Sequence, residues 1–119
     1  MATILLVDDV YTARSMIERV LRHVGRYEVC SVDSGHDAIT LAERNAPDVI
    51  ILDITMAGMD GLTTLHELRA HGVLCPVVAY TARSERAAGE FVSQGFSAYV
   101  SKNGNLSGLL TTVRELIGR

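Results

Sequence analysis

Three carboxylates, a hydroxyl and an amine each stand directly behind a short apolar run in this chain, and together those groups point to chemistry on a phosphate. Asp8-Asp9 follow Ile4–Val7, Asp53 follows Val49–Leu52, Thr81 follows Val77–Tyr80, and Ser101-Lys102 follow Ala98–Val100. Lys102 is the only lysine, every other cationic residue being arginine. Two carboxylates ~4 Å apart at an effective dielectric near 20 repel by roughly 4 kcal/mol, so the cluster requires neutralisation. A hard dication does this with oxygen ligands, and Mg²⁺ typically takes one or two carboxylates, waters and a substrate phosphate. Lys102 adds a compact positive charge where a guanidinium fork would be bulkier. No general base is needed, because a carboxylate with a reference pKa of ~3.9 is already a nucleophile at neutral pH. Aspartate accepting a phosphoryl group is an established form of covalent catalysis, and the rest of phosphoryl transfer is positioning and charge neutralisation.

Those groups converge only if the apolar runs are strands of one sheet. Continuous apolarity in the runs Ile4–Val7, Val49–Leu52, Val77–Tyr80 and Ala98–Val100 predicts strands buried on both faces, whereas Tyr27–Val32, with Glu28 and Ser31, reads as an edge strand. Between them lie helical patterns. Met16, Ile17, Val20, Leu21 and Val24 share one face, as do Ala87, Ala88, Phe91 and Val92, and again Leu106, Leu109, Leu110, Val113, Leu116 and Ile117. Gly35–Asn45 and Leu62–His71 complete five helices, with Gly25, Gly72 and Gly95 as C-terminal stops. Strict β–α alternation with right-handed crossovers predicts an α/β fold, a single-domain doubly wound (βα)5 parallel sheet over residues 1–119. Its functional crevice should lie outside the carboxyl ends of the strands.

Bulk properties narrow the function classes. A chain of 119 residues that is 48% hydrophobic suits one domain with a real core. With 11 basic and 14 acidic residues and a net charge of −3, it lacks the basic surface expected of a nucleic-acid binder. Cys30 and Cys75 have neither metal-site nor disulfide-scaffold spacing and read as reduced, buried thiols. The apolar start has no basic n-region or cleavage pattern and is too short to span a bilayer. A cytoplasmic protein without membrane insertion is expected.

Taken in order, Asp8-Asp9, the stretch Asp53-Ile54-Thr55-Met56-Ala57-Gly58-Met59-Asp60-Gly61, Thr81-Ala82 and Tyr99-Val100-Ser101-Lys102 resemble the response-regulator receiver family of two-component signalling. The likeness runs from Thr3 to Gly118. It implies the flavodoxin-like (CheY-like) strand order 2-1-3-4-5. It further implies that Asp53 is the phosphoacceptor, that Asp9, Asp53 and the carbonyl of Thr55 bind Mg²⁺ with Asp8 holding a bound water, and that Lys102 contacts the phosphoryl group. Thr81 would move to hydrogen-bond it and Tyr99 would swing inward, a switch driven by the added charge and oxygens. A histidine kinase or phosphotransfer protein would be the donor and a downstream protein the target. The chain itself would be a stand-alone regulator, monomeric or forming a weak activation-dependent dimer, and would catalyse only its own phosphorylation and dephosphorylation. A receiver cut from a larger regulator or hybrid kinase is the alternative within the family.

Other classes fit less well. A haloacid-dehalogenase-type phosphatase would carry Asp-x-Asp after the first strand, where this chain has Asp8-Asp9-Val10. A flavodoxin-like cofactor binder would need a Ser/Thr/Gly-rich phosphate cradle in the first loop, and a degenerate receiver would have lost the acidic set. His23, His36, His66 and His71 lack ligand spacing and are expected to face solvent. Met56 and Met59 are assigned to the loop after Asp53, and Arg83–Arg86 to a solvated helix start. The chain departs from many receivers in having Ala57 and Asn103 where proline is common. The Lys102–Asn103 peptide is therefore expected to be trans, because a cis bond without proline costs roughly 2.5–4 kcal/mol. Asn103-Gly104 could turn the chain instead at positive φ.

Overall fold

The computed structural model describes residues 1–82, 88–104 and 106–118. Along them β1 (Thr3–Val7), α1 (Tyr11–His23), β2 (Glu28–Val32), α2 (Gly35–Asn45), β3 (Val49–Asp53), α3 (Gly61–Ala70), β4 (Val77–Thr81), α4 (Ala88–Ser93), β5 (Ala98–Ser101) and α5 (Leu106–Ile117) follow one another. All strand pairs are parallel and the sheet order is β2-β1-β3-β4-β5, as expected. Residues 83–87 lie outside the described set, so the expectations for Arg83–Arg86 and Ala87 fall there.

The central strands are apolar along their length because helices cover both faces, and the period of two divides their side chains between two layers. Leu5, Val7, Ile50, Leu52, Val77 and Ala79 pack with Ala38, Ile39, Leu65, Leu68 and Phe91 of α2, α3 and α4. Ile4, Leu6, Val49, Ile51, Val78 and Tyr80 pack with Ile17, Leu21, Leu109 and Val113 of α1 and α5. β2 is the half-exposed edge that Glu28 and Ser31 foretold. β5 forms the opposite edge, as the order 2-1-3-4-5 requires, and it departs only from the two-sided burial expected of Ala98–Val100: of its residues Val100 alone is buried.

Several helical positions also differ. Met16 and Val24 are 56% and 62% exposed. Met16 lies about 100° round the helix from Ile17, and Val24 caps α1 rather than belonging to it. Val92 is 55% exposed for the same reason as Met16, being one residue past the buried Phe91. Gly72 and Gly95 take the positive φ of helix stops, but after α1 that role falls to Arg26, with φ 60°, and not to Gly25. Gly25 is needed for space: a Cβ there would sit 2.7 Å from the Tyr27 ring and 2.8 Å from the Leu21 carbonyl oxygen. Both cysteines are free and only half-buried. The four histidines face solvent, as anticipated.

The loop from β3 to α3 carries part of the site and is fixed at both ends. The Gly61 amide donates to the Ile54 carbonyl at 3.0 Å, and Asp60 caps α3 by accepting from the Thr63 amide at 2.9 Å. Met56 is buried in the α2–α3–α4 layer, and Met59 packs against that layer, so these side chains hold the loop down. A Cβ on Gly61 would lie 2.6 Å from Ile54 Cα and 2.9 Å from the Asp53 carbonyl oxygen, both rigid backbone atoms. Gly61→Ala should therefore lower the free energy of unfolding by about 1–3 kcal/mol. Denaturant melts of the two proteins measure this, and coincident midpoints would show that the loop yields without cost.

Candidate functional site

Each strand delivers its terminal residue to the same edge. Asp8 follows β1, Asp53 ends β3, Thr81 ends β4, and Lys102 follows β5. Asp8, Asp53 and Thr81 are 0%, 4% and 1% exposed, so two carboxylates and a hydroxyl are buried side by side at the carboxyl ends of the strands. One carboxylate oxygen each from Asp8, Asp9 and Asp53 lie within 4.8 Å of one another. The Lys102 ammonium bridges two of them, 3.1 Å from Asp8 Oδ2 and 3.2 Å from Asp53 Oδ2. The convergence expected from the sequence is thus present.

Backbone groups complete the cluster. The Val10 amide donates to Asp8 Oδ1 at 2.9 Å, and Arg14 donates to the Asp8 carbonyl at 2.8 Å. Thr55 enters through its amide, which donates to Asp53 Oδ1 at 3.2 Å. The Ala57 amide donates to Asp9 Oδ2 at 3.0 Å, a bond that a proline in that position could not make. The Val10, Thr55 and Ala57 donors belong to the main chain, so no side-chain pattern could have revealed them, whereas Arg14 acts through its guanidinium.

Burial pushes the Asp53 carboxyl up to about 6, with Lys102 opposing the shift and Asp8 adding to it. Burial works against the Lys102 ammonium too, but Asp53 and then Asp8 outweigh it, and its pKa rises. The pair is therefore ionised at neutral pH. Three hard oxygen donors with only one ammonium among them make a set that suits a divalent cation of the Mg²⁺ type.

The approach of Lys102 follows a route the sequence foresaw only in part. No peptide bond among the described residues is cis, so the Lys102–Asn103 bond is trans. Neither Asn103 nor Gly104 has positive φ, however. The turn closes with the Gly104 amide on the Ser101 carbonyl at 3.4 Å and the Asn103 amide on Ser101 Oγ at 3.1 Å. The Asn103 side-chain amide donates to the Ala82 carbonyl at 3.1 Å, and the Lys102 amide donates to the Thr81 carbonyl at 2.8 Å. Together these bonds close the turn without left-handed backbone, the Ser101 and Asn103 side chains satisfying part of it. Tyr99 lies on the α4 side of the sheet, its ring stacked on Phe91 with centroids 5.5 Å apart and planes at 21°.

Fold and site together define a doubly wound α/β signalling domain, and the chain belongs to the response regulator receiver domain family, whose model matches residues 4–114. It is 37% identical to the response regulator MprA of a Mycobacterium species over 119 residues, which make up 98% of this chain and 50% of that protein. The chain thus spans about half the length of the curated relatives it matches. Among solved structures, a Francisella response regulator receiver domain superposes with a TM-score of 0.91 at 26% identity, covering 100% of this chain and 98% of that one. The receiver domain of a Pseudomonas aeruginosa sensor histidine kinase gives a TM-score of 0.87 at 31% identity, with 99% and 98% covered, and has a magnesium ion coordinated in its active-site cleft. Receiver domains are signalling modules, not conventional enzymes. Among the described residues no helix is long and apolar enough to cross a membrane.

Proposed function

We propose that residues 1–119 act as one phosphoacceptor receiver, in which Asp53 takes a phosphoryl group from a histidine kinase or phosphotransfer protein. The observation that carries this reading is the buried Asp53 carboxylate, 3.2 Å from the ammonium of Lys102 and clustered with Asp8 and Asp9. An Asp53 carboxylate oxygen attacks the donor's phosphorus, an acyl phosphate bond forms, and the bond to the leaving group breaks. Lys102 holds a phosphoryl oxygen as negative charge gathers there. Mg²⁺, held by Asp9, Asp53 and the Thr55 carbonyl and through water by Asp8, would supply charge neutralisation. The chain would catalyse only its own phosphorylation and dephosphorylation. Free thiols at Cys30 and Cys75 suit a reducing compartment such as the cytoplasm.

The output is a change in the Thr81–Tyr99 pair and the surface of α4, β5 and α5, read by a partner protein. Thr81 neighbours Ser101 across the β4–β5 ladder, and Ala79 neighbours Tyr99. Movement of the Thr81 hydroxyl towards a phosphoryl oxygen thus occurs one strand away from Tyr99, whose ring stacks on Phe91 of α4. Treatment with a small phosphodonor and Mg²⁺ should add a single hydroxylamine-sensitive phosphoryl group, mapped to the peptide containing Asp53. Amide NMR shifts should spread over α4, β5 and α5. Label on another residue would overturn the phosphoacceptor assignment, and an unshifted α4–β5–α5 surface would overturn the output.

A further inference from the structure

Among the described residues Tyr80 is the one buried aromatic side chain of the α1–α5 layer, and it adjoins the site without any of the roles assigned so far. In the β3–β4–β5 ladder it pairs with Asp53 on one side and Val100 on the other. It is 5% exposed. The Lys102 Nζ stands over its ring, 5.5 Å from the centroid, while also contacting Asp8 and Asp53. That separation is within the range at which the negative face of an aromatic ring attracts an ammonium, and the attraction grows when both are withdrawn from water.

The carboxylate contacts of Lys102 are tied to the charge state of the site. Phosphorylation on Asp53, the reading on which this inference rests, turns that carboxylate into an acyl phosphate, and a bound cation competes for Asp8. The ring face stays the same throughout. The loop behind Lys102 is held by the Asn103 tether to Ala82 and the turn on Ser101, which fix its backbone but not the end of a four-carbon side chain. We propose that Tyr80 is a positioning residue whose ring face seats the Lys102 ammonium at Asp53 independently of the charge on the carboxylates.

Because Lys102 is the only lysine, lysine-labelled protein gives a single side-chain signal, which makes the seat directly observable. In the unphosphorylated, cation-free protein its ε-methylene protons should be shifted upfield by the ring. Tyr80→Phe, which keeps the ring face, should retain the shift. Tyr80→Leu, which keeps apolar bulk alone, should abolish it, with Tyr80→Met as a second ring-free variant should the leucine protein not fold. Phosphorylation by a small phosphodonor should slow by about 3- to 10-fold in the ring-free variant and stay within about twofold of wild type in Tyr80→Phe. Retention of the upfield shift in a folded ring-free variant overturns the proposal, as does a phenylalanine variant as slow as the leucine one. Absence of any labelling in the wild type would instead refute the phosphoacceptor reading, while the lysine signal still decides whether the ring is a seat.

Discussion

Chelation of divalent cations should slow phosphorylation of Asp53 by at least about a hundredfold. The three carboxylates approach within 4.8 Å, a separation at which each ionised pair repels by roughly 3 kcal/mol at an effective dielectric of 20. Lys102 offsets only one of those charges, and an incoming phosphodonor brings more of the same sign. Among the described residues no lysine or arginine forms an ion pair with Asp9. Its Oδ2 accepts from the Ala57 amide, which orients the carboxylate but leaves its full charge in place. Initial rates of phosphoryl incorporation with Mg²⁺ and with excess chelator measure the effect. Mg²⁺ should also raise the melting temperature of the unphosphorylated protein, because only the folded chain assembles the three donors. Equal rates in the two conditions would remove the cation from the reaction.

Asp53→Asn should abolish labelling and at the same time stabilise the cation-free protein. The first effect follows from the loss of the nucleophile. The second follows from the position of Asp53, buried beside Asp8, where its pKa is pushed up to about 6 from 3.8. Between those values the folded state holds a proton that the unfolded state has released, so wild-type stability falls as pH rises through that window. Asparagine has no such titration. The variant's advantage should be absent below about pH 4 and reach its full size above about pH 6, on the order of 5 °C in melting temperature. Thermal melts of both proteins from pH 4 to pH 7.5 without divalent cations test this. A constant difference across that range would mean that Asp53 is solvated enough to ionise normally, and residual labelling would mean that the acceptor lies elsewhere.

How far the fold could be read from residues alone depended on which forces acted locally. The apolar runs located β1, β3 and β4 because two-sided burial leaves an unambiguous pattern, and β5 although it is less buried, while β2 was legible from its mixed edge pattern; the Asp8, Asp9, Asp53, Thr81 and Lys102 cluster followed from knowing where parallel strands end. Burial along the helices was less legible. Met16, Val24 and Val92 fit an apolar stripe yet face solvent, since periodicity does not tell how wide a stripe the neighbouring layer can cover. Met56 lies in the loop after Asp53 as expected, but that its side chain is buried was not legible, because a single side chain anchoring a loop has no period to announce it. The Val10, Ala57 and Thr55 groups that donate to the Asp8, Asp9 and Asp53 carboxylates are main-chain amides, and the seat of Lys102 on Tyr80 depends on a register between β3, β4 and β5. Neither kind of contact has a signature in residue types.

The sheet also acts as a partition. Tyr80 belongs to the layer of α1 and α5, and Tyr99 to the layer of α2, α3 and α4. Only the strands are common to both, so the lever that presents an amine to the nucleophile and the aromatic that reports outward are packed in separate compartments. Substitutions in the two layers, lacking shared side-chain neighbours, should combine additively in their effects on stability. The α4–β5–α5 surface proposed as the output straddles this partition, so its α4 part could be refitted to a new listener without disturbing the layer that holds Tyr80, whereas changes to the packed face of α5 could not.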